Sequence, residues 1–176
     1  IRDRGEIMYL NHHLSHAAST YFYSGFEEAA ILTVDGVGEW ATTTYGVGKG
    51  NRVEIFEEVD FPNSVGLVYS AFTSYLGFRV NSGEYKVMGL APYGEPKYAS
   101  IIRKMFDFQD NGQYQVDMRY FDFTSEKNMY TQQFIDLFGQ PPRAPESKLD
   151  GFYMDVARSL QVVLEEIILK LADYLY

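Results

Sequence analysis

The sequence predicts an α/β fold in which an antiparallel three-strand meander is followed by helices. Three observations carry that reading. Three apolar runs are separated by short glycine turns, the stretch after them repeats apolar residues at helical spacing, and the C-terminal segment is one long amphipathic stripe. The chain has 176 residues, 46% hydrophobic and 16% aromatic. That is enough to bury a core, and it excludes a disordered chain.

The elements follow in order. Residues 7–10 are a short apolar run, predicted as a strand that feeds a helix. The aromatic run Tyr21, Phe22, Tyr23 and Phe26 is expected to cover a core, with Gly25 ending the helix. Strands are predicted at 29–34, 40–47 and 52–60. The first turn is Asp35-Gly36-Val37-Gly38 and the second Gly48-Lys49-Gly50-Asn51, both short enough for hairpins. Pro62-Asn63-Ser64 caps a helix through about residue 78, whose Val65, Val68, Tyr69, Phe72, Tyr75 and Leu76 face a sheet. Residues 79–94 break periodicity and read as a long functional loop. A short helix is expected at 96–106, a strand or hairpin at 113–123 and a helix at 127–138. Residues 140–147 hold three prolines and form a loop.

The last segment, 149–176, is the longest helix. Phe152, Val156, Leu160, Val163, Leu164, Ile167, Leu171 and Leu175 form its stripe. Burying that stripe is worth about 10–20 kcal/mol gross. It needs a partner surface, which is expected in the same lobe or, for part of the stripe, in self-association through this helix.

A formal charge of -9 and a pI near 4.8 argue against a nucleic-acid surface, which needs clustered Lys and Arg. The absence of cysteine excludes disulfides and thiolate ligands and fits a cytoplasmic protein. No apolar run is long enough to span a bilayer.

All three histidines lie in the segment Asn11-His12-His13-Leu14-Ser15-His16. On a helix, His12 and His16 are one turn apart on the same face. Two imidazoles at that spacing can hold one divalent cation, and Asp35, at the end of an apolar strand, is the best candidate for a third ligand. The competing reading is a capped, solvated helix start. Zinc peptidases share the His-x-x-x-His spacing but need Glu after the first histidine. His13 stands there, pointing about 100° away, and reads as a packing or supporting residue. Backbone amides of Gly36, Val37 and Gly38 are candidates to face a phosphate. Glu39 is a candidate to fix that turn or take a proton, or else an exposed turn carboxylate.

Three blocks resemble the O-carbamoyltransferases of the nodulation-factor, cephamycin and tobramycin type. They are His12-His13-Leu14-Ser15-His16-Ala17-Ala18-Ser19, Leu32-Thr33-Val34-Asp35-Gly36-Val37-Gly38-Glu39, and Gly83-Glu84-Tyr85-Lys86-Val87-Met88-Gly89-Leu90-Ala91-Pro92-Tyr93-Gly94. The match is close over roughly the first hundred residues and loose beyond. The resemblance implies a fragment of an actin-like ATPase / RNase H-like fold, with residues 1–26 ending one lobe and 27–176 forming an incomplete second lobe. It implies that His12, His16 and Asp35 hold a metal, commonly iron, with a fourth ligand from a later segment. It also implies transfer of a carbamoyl group from carbamoyl phosphate, through carbamoyl-AMP made with ATP, to a sugar-like hydroxyl.

Glu84 and Lys86 are candidate catalytic residues, Lys86 to neutralise phosphate and Glu84 to orient it or a sugar hydroxyl. The alternative for Lys86 is a solvated charge. The chain is expected to be a piece of a longer enzyme, inactive alone. Two other readings compete: a non-catalytic nucleotide-binding module of the same fold, and a metallohydrolase using the His pair.

Overall fold

A computed structural model describes residues 8–125 and 128–176. Helix α1 (His12–Ser24) is followed by strands β1 (Glu28–Gly38), β2 (Ala41–Lys49) and β3 (Arg52–Asp60). They form an antiparallel sheet in the order β1-β2-β3. Helices α2 (Val65–Tyr75), α3 (Glu84–Leu90) and α4 (Ala99–Arg103) come next, with a single 3₁₀ turn, Ala91–Tyr93, after α3. A small hairpin of β4 (Phe106–Phe108) and β5 (Tyr114–Val116) precedes α5 (Gln132–Phe138) and α6 (Gly151–Leu175).

The sheet sits between two layers because alternate residues of β1 serve different faces. Ile31 packs with Ala17 and Tyr21 of α1, and Thr33 hydrogen-bonds to His13 of the same helix. Leu32 and Val34 join the larger core built with α2 and α6. Strand β2 is central and buried almost throughout, so its hydroxyls must be satisfied internally. Thr44 pairs with Thr33 at 2.7 Å and Thr43 with the Tyr114 hydroxyl at 2.9 Å. Each long helix starts at a side-chain cap: Asn11 Oδ1 accepts from the Leu14 amide, Ser64 Oγ from Leu67 and Asp150 Oδ1 from Phe152.

Several expectations need correction. The first hairpin turn lies later than residues 35–38: β1 runs on through Gly38, with a register shift between Val34 and Gly38, and Gly38 pairs with Ala41. The chain reverses at Glu39 and Trp40, with Glu39 at φ 65°. Residues 79–94 are not a long loop, because Val87 and Leu90, one turn apart, give α3 an apolar face to bury. In the aromatic run at the end of α1 only Tyr21 is buried, while Phe22, Tyr23 and Phe26 are exposed. Met8, Tyr9 and Leu10 form no strand and are exposed; Ile7 lies outside the described residues. The helix expected from 127 begins at Gln132, behind the cap Thr131, and Lys127 is also outside the described residues.

The α6 stripe finds its partner within the chain. Val156, Leu160, Val163, Ile167 and Leu171 are buried, and Phe152, Leu164 and Leu175 pack against the same core. The reason for expecting self-association through this helix therefore lapses.

The start of α6 is held by residues 95–98. The Glu95 amide and the Lys97 ammonium donate to Asp155 at 2.8 and 2.7 Å, and the Tyr98 amide donates to Ser159 Oγ. Burial raises the Asp155 carboxyl, and the Lys97 and Glu95 hydrogen bonds outweigh it, leaving its pKa below the usual value. A carboxyl with a depressed folded pKa adds stability above the unfolded value, near 3.9, and loses it as pH falls through the folded value. Asp155→Asn is therefore expected to lower Tm by several degrees at pH 7. The gap from the parent should close as pH falls below about 3.9. A gap that stays constant with pH would contradict the assignment.

Candidate metal centre

Helix α1 and the end of β1 place three donors at one point. Asp35 shares the α1-facing side of β1 with Ile31 and Thr33, four and two positions earlier, so its side chain meets the helix that carries His12 and His16. His12 Nε2 lies 2.7 Å from Asp35 Oδ2, His16 Nε2 lies 3.2 Å from the same oxygen, and the two nitrogens are 2.9 Å apart. Among the described residues this is the one group of three His or acidic side chains whose ligand atoms converge. All three are partly exposed, so the point where they meet is open to solvent.

Protons alone do not satisfy this triangle. If both Nε2 atoms carry hydrogen and donate to Asp35, the two N–H groups oppose each other across 2.9 Å. If one nitrogen donates to the other, the acceptor turns a lone pair toward the carboxylate. A single cation suits all three edges, since donors about 2.1 Å from an ion at right angles stand about 3.0 Å apart. Two imidazoles and one carboxylate are a donor set for iron, zinc or manganese.

The supporting residues explain why the donors stay in place. His13, fully buried between α1 and the sheet, has Nε2 2.9 Å from the Ala41 carbonyl and Nδ1 2.6 Å from Thr33 Oγ1. The carbonyl requires the Nε2–H tautomer, so Nδ1 accepts from Thr33, which accepts from Thr44. This chain pins α1 to β1 and β2. Gly38 lies under the His12 ring: a Cβ there would stand 2.7 Å from His12 Cγ and 3.0 Å from Nε2, and nearer still to Cδ2. Gly66, in the first turn of α2, lies against the Asp35 backbone, where a Cβ would meet the carbonyl oxygen at 2.5 Å. Ser64 Oγ donates to the Gly36 carbonyl at 2.6 Å while capping α2. Burial raises the Asp35 carboxyl, but the adjacent His12 ring, the Gly36 amide and the His16 ring outweigh it, and its pKa falls below the usual value. The carboxylate is thus held ionised, as a ligand must be.

The remaining candidates are distributed around this centre. The Gly36 amide donates to Asp35 Oδ1 at 2.6 Å. Val37 is exposed, and Glu39 accepts from Asn11 Nδ2 at 3.4 Å, tying the turn to the start of α1. Glu84 is engaged by its own helix start, accepting from the Asn81 and Gly83 amides and from Ser70 Oγ. Burial raises its pKa and those amides and the hydroxyl more than reverse it. Glu84 lines an apolar cavity of about 370 Å3 with Val34, Tyr69, Met88 and Leu164. A second cavity, about 270 Å3, runs beside His16, Val34 and Asp35. Lys86 lines neither, and the structure does not bring it to the three donors. Sequence reasoning missed the parts played by Gly38, Gly66 and Ser64; the period-two series Ile31, Thr33, Asp35 was the available signal for the α1 contact.

Comparison with known proteins agrees with these blocks. The family model described as carbamoyltransferase N-terminus matches residues 1–176. A Synechocystis sp. protein, uncharacterized protein sll1178, is 50% identical over 176 residues, covering 99% of this chain and 29% of that protein. Nodulation protein NolNO of Sinorhizobium fredii is 41% identical over 115 residues, 65% of this chain and 17% of that protein. Nodulation protein NolO of Bradyrhizobium diazoefficiens is 35% identical over 162 residues, 90% of this chain and 27% of that protein. The chain thus spans under a third of the length of these relatives, and among its described residues no helix is long and apolar enough to cross a membrane. With its whole length matched, the chain belongs to the carbamoyltransferase N-terminal family.

Proposed function

We propose that this chain is the metal-holding part of an enzyme that moves a carbamoyl group from carbamoyl phosphate, through carbamoyl-AMP, to a hydroxyl of a sugar-like acceptor. The observation that carries the reading is the triangle of His12, His16 and Asp35, whose three short edges no arrangement of protons satisfies. These residues would hold a divalent cation, iron by family resemblance. When bound, such an ion supplies Lewis acidity toward a carbonyl oxygen and a template for phosphate.

The chain's own residues do the rest. His13, Thr33 and Thr44 fix the helix against the sheet, and Gly38 leaves room for the His12 ring. The stretch Gly36–Glu39 borders the centre and is assigned to the phosphate side of the donor. The cavity beside His16 and Asp35 gives the reacting group an approach, and the adjoining apolar one, reached through Val34, shelters a larger part of the substrate. The meander-then-helix order is compatible with one lobe of an actin-like fold, an analogy that lends function only indirectly.

The test uses the parent-length protein with ATP, carbamoyl phosphate and sugar hydroxyls as acceptors. Asp35→Ala is expected to cut transfer by about a hundredfold or more, since loss of Lewis-acid stabilisation removes several kcal/mol. Full transfer by that variant would refute the assignment. Nucleotide binding with no transfer by the parent would favour a non-catalytic module.

A further inference from the structure

On the far side of α3 the molecule holds a cavity that the carbamoyl chemistry does not use. Lys86 stands two positions after Glu84, about 200° around the helix, and so lines a different space. That space, about 380 Å3, is bordered by Arg79, Lys86, Arg143, Asn128, Tyr130 and Glu146.

Its charge is unusual for this protein. Among the described residues three cations meet one carboxylate there, in a chain of formal charge -9. Among the described residues none of the three cations is within ion-pair distance of a carboxylate. Arg143 is the informative one, because it is only 6% exposed. A buried guanidinium stays charged and is normally matched by an acid. Here its hydrogen bonds go to neutral groups: Nε to the Leu76 carbonyl at 2.6 Å, Nη1 to the carbonyl and hydroxyl of Ser147, and Nη2 to the Gly77 carbonyl at 3.4 Å. Among the described residues four directions of the five-donor fork are thereby used, two of them weakly at 3.4 Å, and one Nη2–H remains. The Phe78 ring, 4.9 Å away, shares the charge on one face. Arg79 and Lys86 line the same space and are exposed, so their side chains can turn onto a ligand there.

We infer that this cavity is a binding site for the phosphate group of a small anion, with Arg143 as its buried anchor and Arg79 and Lys86 closing on it. Among the described residues three cations against Glu146 leave two positive charges uncompensated, which matches a phosphate dianion better than a single carboxylate. Tyr130 and Asn128 also line this space and add polar side chains to it. The ligand is either free phosphate or the phosphate end of a metabolite. The site is separate from the metal centre, so it stands whether or not the three donors bind an ion.

The experiment is a calorimetric titration of the metal-free chain, in EDTA, with inorganic phosphate and, in a second arm, ribose 5-phosphate. Saturable binding to one site per chain is expected, weakening as salt rises. The Arg79→Ala/Lys86→Ala variant changes exposed side chains only and should keep its Tm while binding weakens by about tenfold or more. His16→Ala should bind as the parent does. Equal affinity for both probes assigns the site to free phosphate, and tighter ribose 5-phosphate binding assigns it to a phosphorylated metabolite. Absence of saturable binding by both probes, or an unchanged affinity in the double variant, overturns the inference.

Discussion

Gly38→Ala is expected to abolish high-affinity metal binding while leaving the fold intact. The added Cβ would stand 2.7 Å from His12 Cγ and 3.0 Å from Nε2, closer than side-chain carbons approach a ring. The neighbour that must yield is the imidazole, because Gly38 is fixed by its pairing with Ala41. A ligand displaced by about 1 Å leaves a site present but too loose, and the loss should reach about a hundredfold in affinity. Gly36→Ala is the matched control. Its Cβ would find only Leu67 Cδ2 at 3.6 Å, an ordinary contact, so metal affinity should be kept. Titration of both variants with Mn(II), alongside thermal melts, separates a site effect from a folding effect. Equal affinities in the two variants would show that the His12 ring does not depend on the space at Gly38.

Phe134→Ala is expected to be the most destabilising single truncation in the aromatic core. Phe134 is fully buried, and its ring centroid lies 4.9 Å from Phe72, 5.0 Å from Phe138, 5.1 Å from Tyr75, 5.5 Å from Tyr130 and 5.8 Å from Phe121. It therefore joins α2, α5 and the segment around Phe121 through one side chain. Removing a buried Phe costs about 3–5 kcal/mol, the upper end applying where neighbours cannot collapse. Rings held by several partners at once have little freedom to collapse. For a chain of this size the loss corresponds to a fall in Tm of about 6–20 °C, and to a matching shift of the urea midpoint with little change in slope. Tyr23→Ala, at a residue 92% exposed, should change stability by less than about 0.5 kcal/mol. A Phe134→Ala loss below about 1 kcal/mol would mean that α5 is not part of the cooperative core.

The strands and the longest helix were legible in the sequence because their signals are local. Residues 52–60 alternate, and Ser64 begins α2 with the cap chemistry expected of it. The convergence of His12, His16 and Asp35 was legible for a different reason: the two histidines are bound to one face by helical spacing, and Asp35 ends the apolar run facing them. Failures came where glycine has two uses. Gly36 and Gly38 suggested a turn, but glycine also sits in strands where another group approaches closely, and here that group is His12. Residues 79–94 looked like a loop because Gly83, Gly89 and Gly94 mask a seven-residue helix, whose short apolar face, Val87 and Leu90, is visible only once α6 is in place against it. Phe22 and Phe26 failed because an aromatic side chain records apolarity without saying which face of the chain is covered.

The central claim is that His12, His16 and Asp35 form one site for one ion. Its most direct test is titration of the chain with Fe(II) under anaerobic conditions, and with Mn(II) and Zn(II), comparing the parent with His12→Ala, His16→Ala and Asp35→Ala. One ion per parent chain, and a large loss of affinity in each of the three variants with their folds retained, is the predicted result. Binding at full affinity in His16→Ala, or in either of the others, would contradict it.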